Sequence, residues 1–541
     1  MTTATGEAAQ LTARRATADA ARRGDARRPA GGGWRRPVQL AGRYGAAVLG
    51  AAWVLALGGP RLGRRPFWLD EAFTVGATHD LVATWRGTGG TMGLYYLLMW
   101  PIAQVSTDRA WLRLLSLLCA AATVVVVHEI GRLVGGRRVG AMAAGLLAAS
   151  WAVSRFGLEA RSYTLALLLV SLSWLGLVGA VTSADRGVGQ RRWWWLFVVA
   201  TLLAPLAHGL AALHFGSQVA VLGLRSDRRR WWRACAPVAV ALAVEGVALF
   251  SIGAGEVARW IEPLNREQVG RMLRVLVGEE VRLPVVGAVV VVAIVVAVVN
   301  ARRRRRSAAP AGMAAGPNEG WLGLVPVFWM AGVPLLIVGL SLFRPYAEPR
   351  YVIGAVPGVA LVLAGMLARI RPAALSAAAW VAVALVLVTD QPRITSFGSE
   401  DWPSLVGRIT ADGDDGDLLL MPAMLRAPFD FAWGEDPAAG VGERPELVPL
   451  SPTDGFDDVK RFYDTAPGGM RAQLRTTPAS AATVWYVDRD IKRLDDVEAL
   501  IADPEVARHY EVAGRWQMAG ELYLVRLEPR PDPLPAPGAE P

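Results

Sequence analysis

The chain has 541 residues, of which 53% are hydrophobic, and its mean hydropathy is +0.32. This composition exceeds what an ordinary water-soluble surface allows and indicates a membrane protein. The formal net charge is +10, but nearly all basic residues are Arg, which we attribute to a compositional bias and not to nucleic-acid binding. Cys119 and Cys235 both lie in apolar segments, so neither a disulfide framework nor a thiolate metal site is supported.

The chain begins with an Arg-, Ala- and Gly-rich stretch, residues 1–40, which we predict to be a disordered cytoplasmic tail. It is too long and polar for an ordinary signal peptide, so the first apolar segment is expected to remain as an anchor. A polytopic, mostly α transmembrane domain is predicted for residues 41–390, because apolar segments near the membrane length recur there. The predicted spans are 43–60, 110–134, 138–157, 162–184, 193–207, 209–224, 233–254, 283–300, 321–342, 351–368 and 372–389.

The orientation follows from the Arg clusters, because basic loops stay in the cytoplasm. With the N-terminus inside, every strongly basic loop, including the run Arg302 to Arg306, falls on the cytoplasmic side of eleven spans. This agreement requires that segment 92–106, which is short and contains Pro101, forms a juxtamembrane or re-entrant helix and does not cross. Residues 193–224 are compatible with one span or two, and two spans keep the Arg302 run inside.

The composition changes after residue 390. From Gln391 onward, acidic residues outnumber basic ones by about twelve. Strand-like runs at 417–421, 483–487 and 521–527 alternate with helical stretches near 402–411, 456–465 and 494–502. We therefore predict an extracytoplasmic α/β domain over residues 391–528, followed by a disordered Pro-rich tail over 529–541.

Two adjacent carboxylates, Asp70 and Glu71, follow the first apolar span. Acidic side chains are costly beside hydrocarbon, so such a pair is a candidate functional site. The alternative is a pair that caps the N-terminus of an interfacial helix. In a helix the two side chains would point about 100° apart, so only one is expected to face a cavity squarely.

The predicted outer face collects further polar residues at the membrane boundary. Arg155 and Arg161 are compatible with lipid-headgroup contacts, with Glu159 as their partner, and the tyrosines with an interfacial aromatic belt. The histidines are compatible with structural roles, since two alone do not make a metal site. The set comprises Tyr95, Tyr96, Arg155, Glu159, Arg161, Tyr163, His208, His214, Arg344, Glu348, Arg350 and Tyr351.

A carboxylate that faces several Arg beside a bilayer suits one kind of chemistry. Guanidinium groups stay charged and bind phosphate with paired donors, so they are suited to holding a lipid-linked phosphate. A carboxylate can take the proton of an incoming hydroxyl as a general base. Together these groups fit displacement at a sugar C1 with lipid phosphate as the leaving group.

Five segments resemble, in the same order, motifs of the GT-C glycosyltransferases related to the protein O-mannosyltransferases, especially their actinobacterial members. They are WLDEAFT at 68–74, GLYYLLM at 93–99, LRLLSLL at 112–118, SRFGLEARSYTL at 154–165 and EPRYVIGAVPGVAL at 348–361. The resemblance covers about residues 43–390. Related sequences often have His or Lys just before GLYY, whereas this chain has Gly90, Thr91 and Met92. This departure weakens what the resemblance implies about the donor headgroup and the acceptor.

The resemblance implies a GT-C fold and an inverting transferase that uses a polyprenyl-phosphate sugar, often mannose, at the outer face of the cell membrane. It gives the catalytic-base role to Asp70, with Glu71 as its neighbour, and places Arg161 and Arg350 in motifs of the lipid-phosphate site. To that site we add Arg155, Tyr163 and Tyr351. The expected substrate cavity also includes Tyr95, Tyr96, Glu159, His208 and Arg344.

Two other classes of protein fit some of these features. A secondary transporter also places charges in the membrane, but it predicts inverted repeats and charges near the midplane, and a non-catalytic assembly protein would not need Asp70. The expected partners are a polyprenyl-phosphate sugar, the membrane, and a protein, lipid or glycan acceptor. No metal site or cofactor is predicted, and the sequence leaves open whether a divalent cation takes part.

Overall fold

The computed structural model describes residues 35–78, 80–252, 261–278, 320–389, 400–422, 425–435, 448–449, 482–489, 498 and 501–531. The predicted span 283–300, the Arg302 to Arg306 run and the predicted helix 456–465 lie outside these residues, as do most of 494–502 and of both terminal tails. The first helix begins at Arg35, inside the predicted disordered tail, with Pro37 in the first turn, where a helix accepts it.

Helices dominate the described residues before position 390, which confirms the predicted mostly α fold. The described residues from 400 to 531 are named the outer segment here, after the location predicted for them. The helices before this segment are α1 (Arg35–Gly58), α2 (Leu69–Ala77), α3 (Leu81–Gly87), α4 (Gly93–Val105), α5 (Arg109–Gly135), α6 (Arg137–Ala149), α7 (Trp151–Gly157), α8 (Tyr163–Asp185), α9 (Arg191–Ala207), α10 (Leu213–Leu222), α11 (Arg228–Ile252), α12 (Arg266–Val277), α13 (Trp321–Ser341), α14 (Val356–Leu367) and α15 (Ala373–Val388). Short 3₁₀ helices occupy Gly59–Arg61, Gly209–Ala212 and Pro349–Ala355.

Among the described residues, five helical segments are long and apolar enough to cross a membrane: α5, α8, α11, α13 and Pro349–Leu367. A sixth arises if α6 and α7, which are bent by 56°, form one span. Segment 193–224 forms two helices, α9 and α10, interrupted at His208 and the 3₁₀ turn. The full count of eleven spans stays a prediction.

The helical core is centred on α8, and 89% of the most apolar 18-residue stretch of this helix is buried inside the protein. Small residues let neighbouring backbones approach it closely. A Cβ at Gly176 would lie 2.4 Å from the backbone nitrogen of Phe197 on α9, so only Gly fits there. This packing buries α8 and places its first residue, Tyr163, against Phe156 and His208.

The outer segment contains a five-stranded mixed sheet. Its strands are β1 (Leu418–Leu420), β2 (Val448–Pro449), β3 (Val484–Arg489), β4 (Tyr510–Met518) and β5 (Leu522–Pro529), in the order β2-β1-β3-β5-β4. β1 pairs in parallel with β2 and β3, whereas β5 pairs antiparallel with β3 and β4. The accompanying helices are α16 (Trp402–Asp412), α17 (Arg426–Glu435) and α18 (Pro504–His509). One face of the sheet packs on α16 and α17 in an apolar cluster that also contains Leu69 of α2.

Candidate active site

Asp70 lies in the first turn of α2, and its side chain is 20% exposed. The helix starts there because Trp68 is extended and its carbonyl accepts the first helical hydrogen bonds, from the N–H groups of Glu71 and Ala72. A carboxylate in this position is favoured by the positive end of the helix dipole. Asp70 is therefore fixed by regular secondary structure and remains partly accessible.

Two arginines from distant parts of the chain meet the Asp70 carboxylate. Arg350, in the 3₁₀ helix Pro349–Ala355, donates from Nη1 to Oδ2 of Asp70 over 2.7 Å. Nη2 of Arg161 lies 3.5 Å from the same oxygen. The structure thus brings together the three residues that the motifs singled out.

Each arginine is held by further groups. Nη1 of Arg161 donates to the Asp70 backbone carbonyl over 3.0 Å and to the Tyr96 hydroxyl over 3.3 Å. Arg350 donates from Nε to Glu348 over 2.8 Å and from Nη1 to the Tyr163 hydroxyl over 3.2 Å. These partners fix the guanidinium planes, so both arginines are oriented before any ligand arrives.

The arginines control the ionisation of Asp70. Burial opposes its charged form, but the charges of Arg161 and Arg350 outweigh burial and hold the pKa of Asp70 below its usual value. The pKa of Arg161 is raised, because the Asp70 carboxylate outweighs the effect of its own burial. The site at neutral pH is therefore an ion cluster with Asp70 as its carboxylate centre.

Glu71 points the other way, into the protein. Its two oxygens accept from Nε and Nη2 of Arg113, each over 2.7 Å, and Oε1 also accepts from the Ala160 backbone N–H over 2.8 Å. Both side chains of this pair are fully buried. Glu71 and Arg113 therefore anchor α2 to α5 and to the loop that carries Arg161, and they do not face the cavity.

Arg113 also fixes the loop before α2. Its Nη1 donates to the carbonyls of Leu62 and Arg65, and its Nη2 donates to the carbonyl of Pro66. Motif-based reasoning missed this residue, although an Arg inside an apolar span signals a buried partner. The anchor explains why a loop rich in charge can be held rigidly beside the membrane.

Arg155 and Glu159 form an ion pair with each other behind this loop, and both are almost fully buried. Arg65 supports the same turn by donating from Nη2 to the Leu158 carbonyl over 3.2 Å. Burial, reinforced by the nearby charge of Arg155, lowers the pKa of Arg65 to about 10. These side chains support the loop behind Asp70, and the phosphate role of Arg155 stays a prediction.

The two adjacent tyrosines of α4 have different partners. The Tyr96 hydroxyl contacts Arg161, as described above, whereas the Tyr95 hydroxyl is buried against Ser116 at 3.0 Å. Tyr96 therefore belongs to the site and Tyr95 to the helix packing. Arg344 is exposed beyond the end of α13 and is not among the side chains that contact Asp70.

A small, partly open pocket lies next to Arg350, between α8, α10 and the 3₁₀ helix Pro349–Ala355. Tyr163, His208 and Tyr351 line its polar end, with the His208 ring 4.7 Å from the Tyr351 ring. Burial and then the charges of Arg161 and Arg350 lower the pKa of His208 to about 4, so it is neutral at physiological pH. The remaining lining is mostly apolar: Ala166, Leu167, Val170, Leu210, Ala211, His214, Ile353 and Gly354.

Sequence reasoning also missed two further residues of the site, Trp68 and Glu400. Trp68 lies with its ring 5.5 Å from the Arg350 guanidinium, and Glu400 contacts the start of α2 from the outer segment. Only Trp68 had a signal, as the residue that opens the WLDEAFT motif. Within the described residues, no three His, Cys, Asp or Glu side chains are grouped as metal ligands.

No known protein family matches the chain by sequence, and no curated protein sequence matches it. Solved structures do match its fold. ArnT from Cupriavidus metallidurans in the apo state aligns with a TM-score of 0.56 at 12% identity over 89% of this chain and 98% of ArnT. The same protein bound to undecaprenyl phosphate aligns with a TM-score of 0.51 at 13% identity over the same shares.

An archaeal oligosaccharyltransferase, AglB from Archaeoglobus fulgidus in complex with an inhibitory peptide and a dolichol-phosphate, aligns with a TM-score of 0.49 at 10% identity, over 89% of this chain and 74% of AglB. The ArnT alignment extends over nearly the whole of both chains, so the likeness concerns the complete architecture. It shows a shared fold.

Proposed function

We propose that the chain is an integral membrane glycosyltransferase that moves a sugar from a polyprenyl-phosphate donor to a hydroxyl acceptor at the outer face, with inversion. Mannose is the expected sugar, and the acceptor is a protein, lipid or glycan. The observation that carries the proposal is the partly exposed Asp70 carboxylate between the guanidinium groups of Arg161 and Arg350. This cluster combines a base with two phosphate-binding groups.

The donor phosphate is assigned to Arg161 and Arg350. Planar guanidinium groups recognise phosphate through paired, charge-assisted hydrogen bonds, and the hydroxyls of Tyr96 and Tyr163 hold these two groups in place. The similarity of this fold to ArnT, which has been solved with undecaprenyl phosphate, supports a polyprenyl phosphate as the ligand class.

The transfer step follows from these positions. The acceptor oxygen attacks C1 of the sugar and gives its proton to Asp70, while the bond between C1 and the phosphate oxygen breaks. The bonding electrons leave with the polyprenyl phosphate, and Arg161 and Arg350 stabilise the negative charge that develops there. A single displacement of this kind inverts the configuration at C1.

The ion pair between Asp70 and Arg350 determines the order of donor binding and acceptor activation. While Arg350 donates to Asp70 over 2.7 Å, the carboxylate is a weak base. A phosphate that binds Arg350 competes for the same donor and raises the basicity of Asp70. Donor binding thus precedes activation of the acceptor, and Glu71 takes no proton because Arg113 holds it in the core.

The deciding experiment replaces Asp70→Asn in the full-length protein. Turnover is followed as release of labelled mannose from polyprenyl-phosphate mannose in membranes that supply the acceptor. Loss of a general base is expected to lower turnover by a factor of roughly 10²–10⁴, while binding of undecaprenyl phosphate persists. Asp108→Asn is the matched control, since Asp108 is an exposed N-cap of α5 and Asn caps equally well. Near-normal turnover of Asp70→Asn would refute the mechanism.

A further inference from the structure

The helix that carries Asp70 begins inside the apolar cluster of the outer segment. Leu69, the residue before Asp70, is buried there with Trp402, Leu405 and Leu524. Trp68 packs against the same cluster from its edge. The two residues that precede Asp70 therefore belong to the packing of the outer sheet and α16, although they follow the first predicted membrane span directly.

A buried carboxylate completes this connection. Oε2 of Glu400 accepts from the Leu69 backbone N–H over 2.9 Å and from Nε1 of Trp402 over 2.7 Å. Its other oxygen lies 2.8 Å from Nε of Arg489, at the end of β3. Glu400 is only 2% exposed, so each of these contacts is shielded from water.

These contacts restrain the first turn of α2. The N–H groups of the first helical turn have no partner within the helix, and Glu400 provides one for Leu69. The neighbouring Trp68 ring lies 5.5 Å from the Arg350 guanidinium, so a shift at this turn would move Asp70 relative to Arg350. The carboxylate of Glu400 in the outer segment thus influences the positions of both Asp70 and Arg350.

We propose that Glu400 is a positioning residue of the transferase, which binds the start of α2 from the outer segment and thereby fixes Asp70 between Arg161 and Arg350. This inference rests on the proposed function, because it assigns Glu400 an effect on the chemical step. It ties the outer segment to turnover. The two phosphate-binding arginines keep their own partners, Tyr96, Tyr163 and Glu348, so donor binding does not depend on Glu400.

Two substitutions test this role in the full-length protein. Glu400→Ala removes the acceptor, and Leu69→Pro removes the donor at the first helical position, where the backbone accepts Pro. Leu69→Ala keeps the N–H and controls for the loss of the buried Leu side chain. Displacement of a reacting group by about 1 Å can cost a factor of roughly 10² in rate. We expect Glu400→Ala and Leu69→Pro to lower kcat by roughly 10–100-fold. The kcat of Glu400→Gln is expected to lie between those of the parent protein and Glu400→Ala, because its amide oxygen still accepts a hydrogen bond.

Binding of undecaprenyl phosphate is the second readout, and it is expected to stay within about twofold of the parent protein for an effect confined to the transition state. Glu511→Ala is the control, since Glu511 pairs with Arg530 in the same outer sheet and is expected to leave both values unchanged. A parent-like kcat in Glu400→Ala, or an equal loss of kcat and donor affinity, overturns the positioning role.

If Glu400→Ala fails to fold, Leu69→Pro decides by the same criteria. The two proposals can fail separately. Asp70→Asn with normal turnover rejects the transferase mechanism, whereas an inactive Asp70→Asn beside a fully active Glu400→Ala rejects only the role of Glu400.

Discussion

Neutralisation of the adjacent carboxylates Asp70 and Glu71 is expected to impair the protein in different ways. Asp70→Asn removes a partly exposed group, whereas Glu71→Gln leaves Arg113, which is fully buried, without its counter-charge. Removal of one partner of a buried ion pair costs about 3–5 kcal/mol, which corresponds to roughly two to four orders of magnitude in the folding equilibrium. We therefore expect Glu71→Gln to be unstable and Asp70→Asn to be stable but inactive.

The pH dependence of stability offers a second test of the Glu71 anchor. Burial opposes the charge of Glu71, but Arg113 outweighs it, so the pKa of Glu71 lies below its usual value. A carboxylate with a lowered pKa in the folded state stabilises the protein at neutral pH and loses this contribution as pH falls through the folded pKa. The stabilisation is therefore expected in the parent protein and absent from Glu71→Gln.

The assay combines denaturant unfolding of the detergent-purified protein at several pH values with turnover per folded molecule. Arg113→Met is the matched partner variant, and it should lose stability to a similar extent, because it leaves Glu71 uncompensated. A Glu71→Gln protein that is as stable as the parent but lacks turnover would refute this reasoning. It would transfer the base role from Asp70 to Glu71.

Three further predictions concern the donor site and the topology. Arg161→Ala and Arg350→Ala should each strongly weaken use of the donor. Arg→Lys at either position should recover only part of it, because an ammonium point charge replaces the paired donors of a guanidinium group. Normal donor dependence in both Ala variants would contradict the assignment. Tyr96→Phe should raise the donor KM by a factor of roughly 2–10, the worth of one hydrogen bond, whereas Tyr95→Phe should leave the KM unchanged. A cysteine introduced at Ser451 should react with an impermeant thiol reagent added outside. If this cysteine does not react, the predicted membrane orientation is wrong.

The helices and the three central site residues were within reach of sequence reasoning. Apolar length and Arg distribution place helix ends within a few residues, as at α5 and α8, because a membrane span has a fixed length. Asp70, Arg161 and Arg350 stand out because charges at an outer membrane boundary are costly without partners. That they meet could be expected only from the motifs, since they are separated by up to 280 residues.

Other features depend on tertiary packing and carry no local signal. Tyr95 and Tyr96 lie in a helix that is apolar all round, so periodicity does not indicate which of them faces Arg161. Glu71 resembles Asp70 in the sequence, and only its distant partner Arg113 separates their roles. Glu400 follows the last predicted span in a segment without a motif, so its contact with Leu69 could not be anticipated.

The contacts of α2 also bear on how the protein is made. Leu69 and its acceptor Glu400 are 331 residues apart, and Asp70 and Arg350 are separated by 280. A chain that is synthesised from its N-terminus contains Asp70 long before either partner has been translated. The complete site therefore forms only after Glu400 has been translated, which leaves a shorter nascent chain without a functional centre while its helices are still being synthesised.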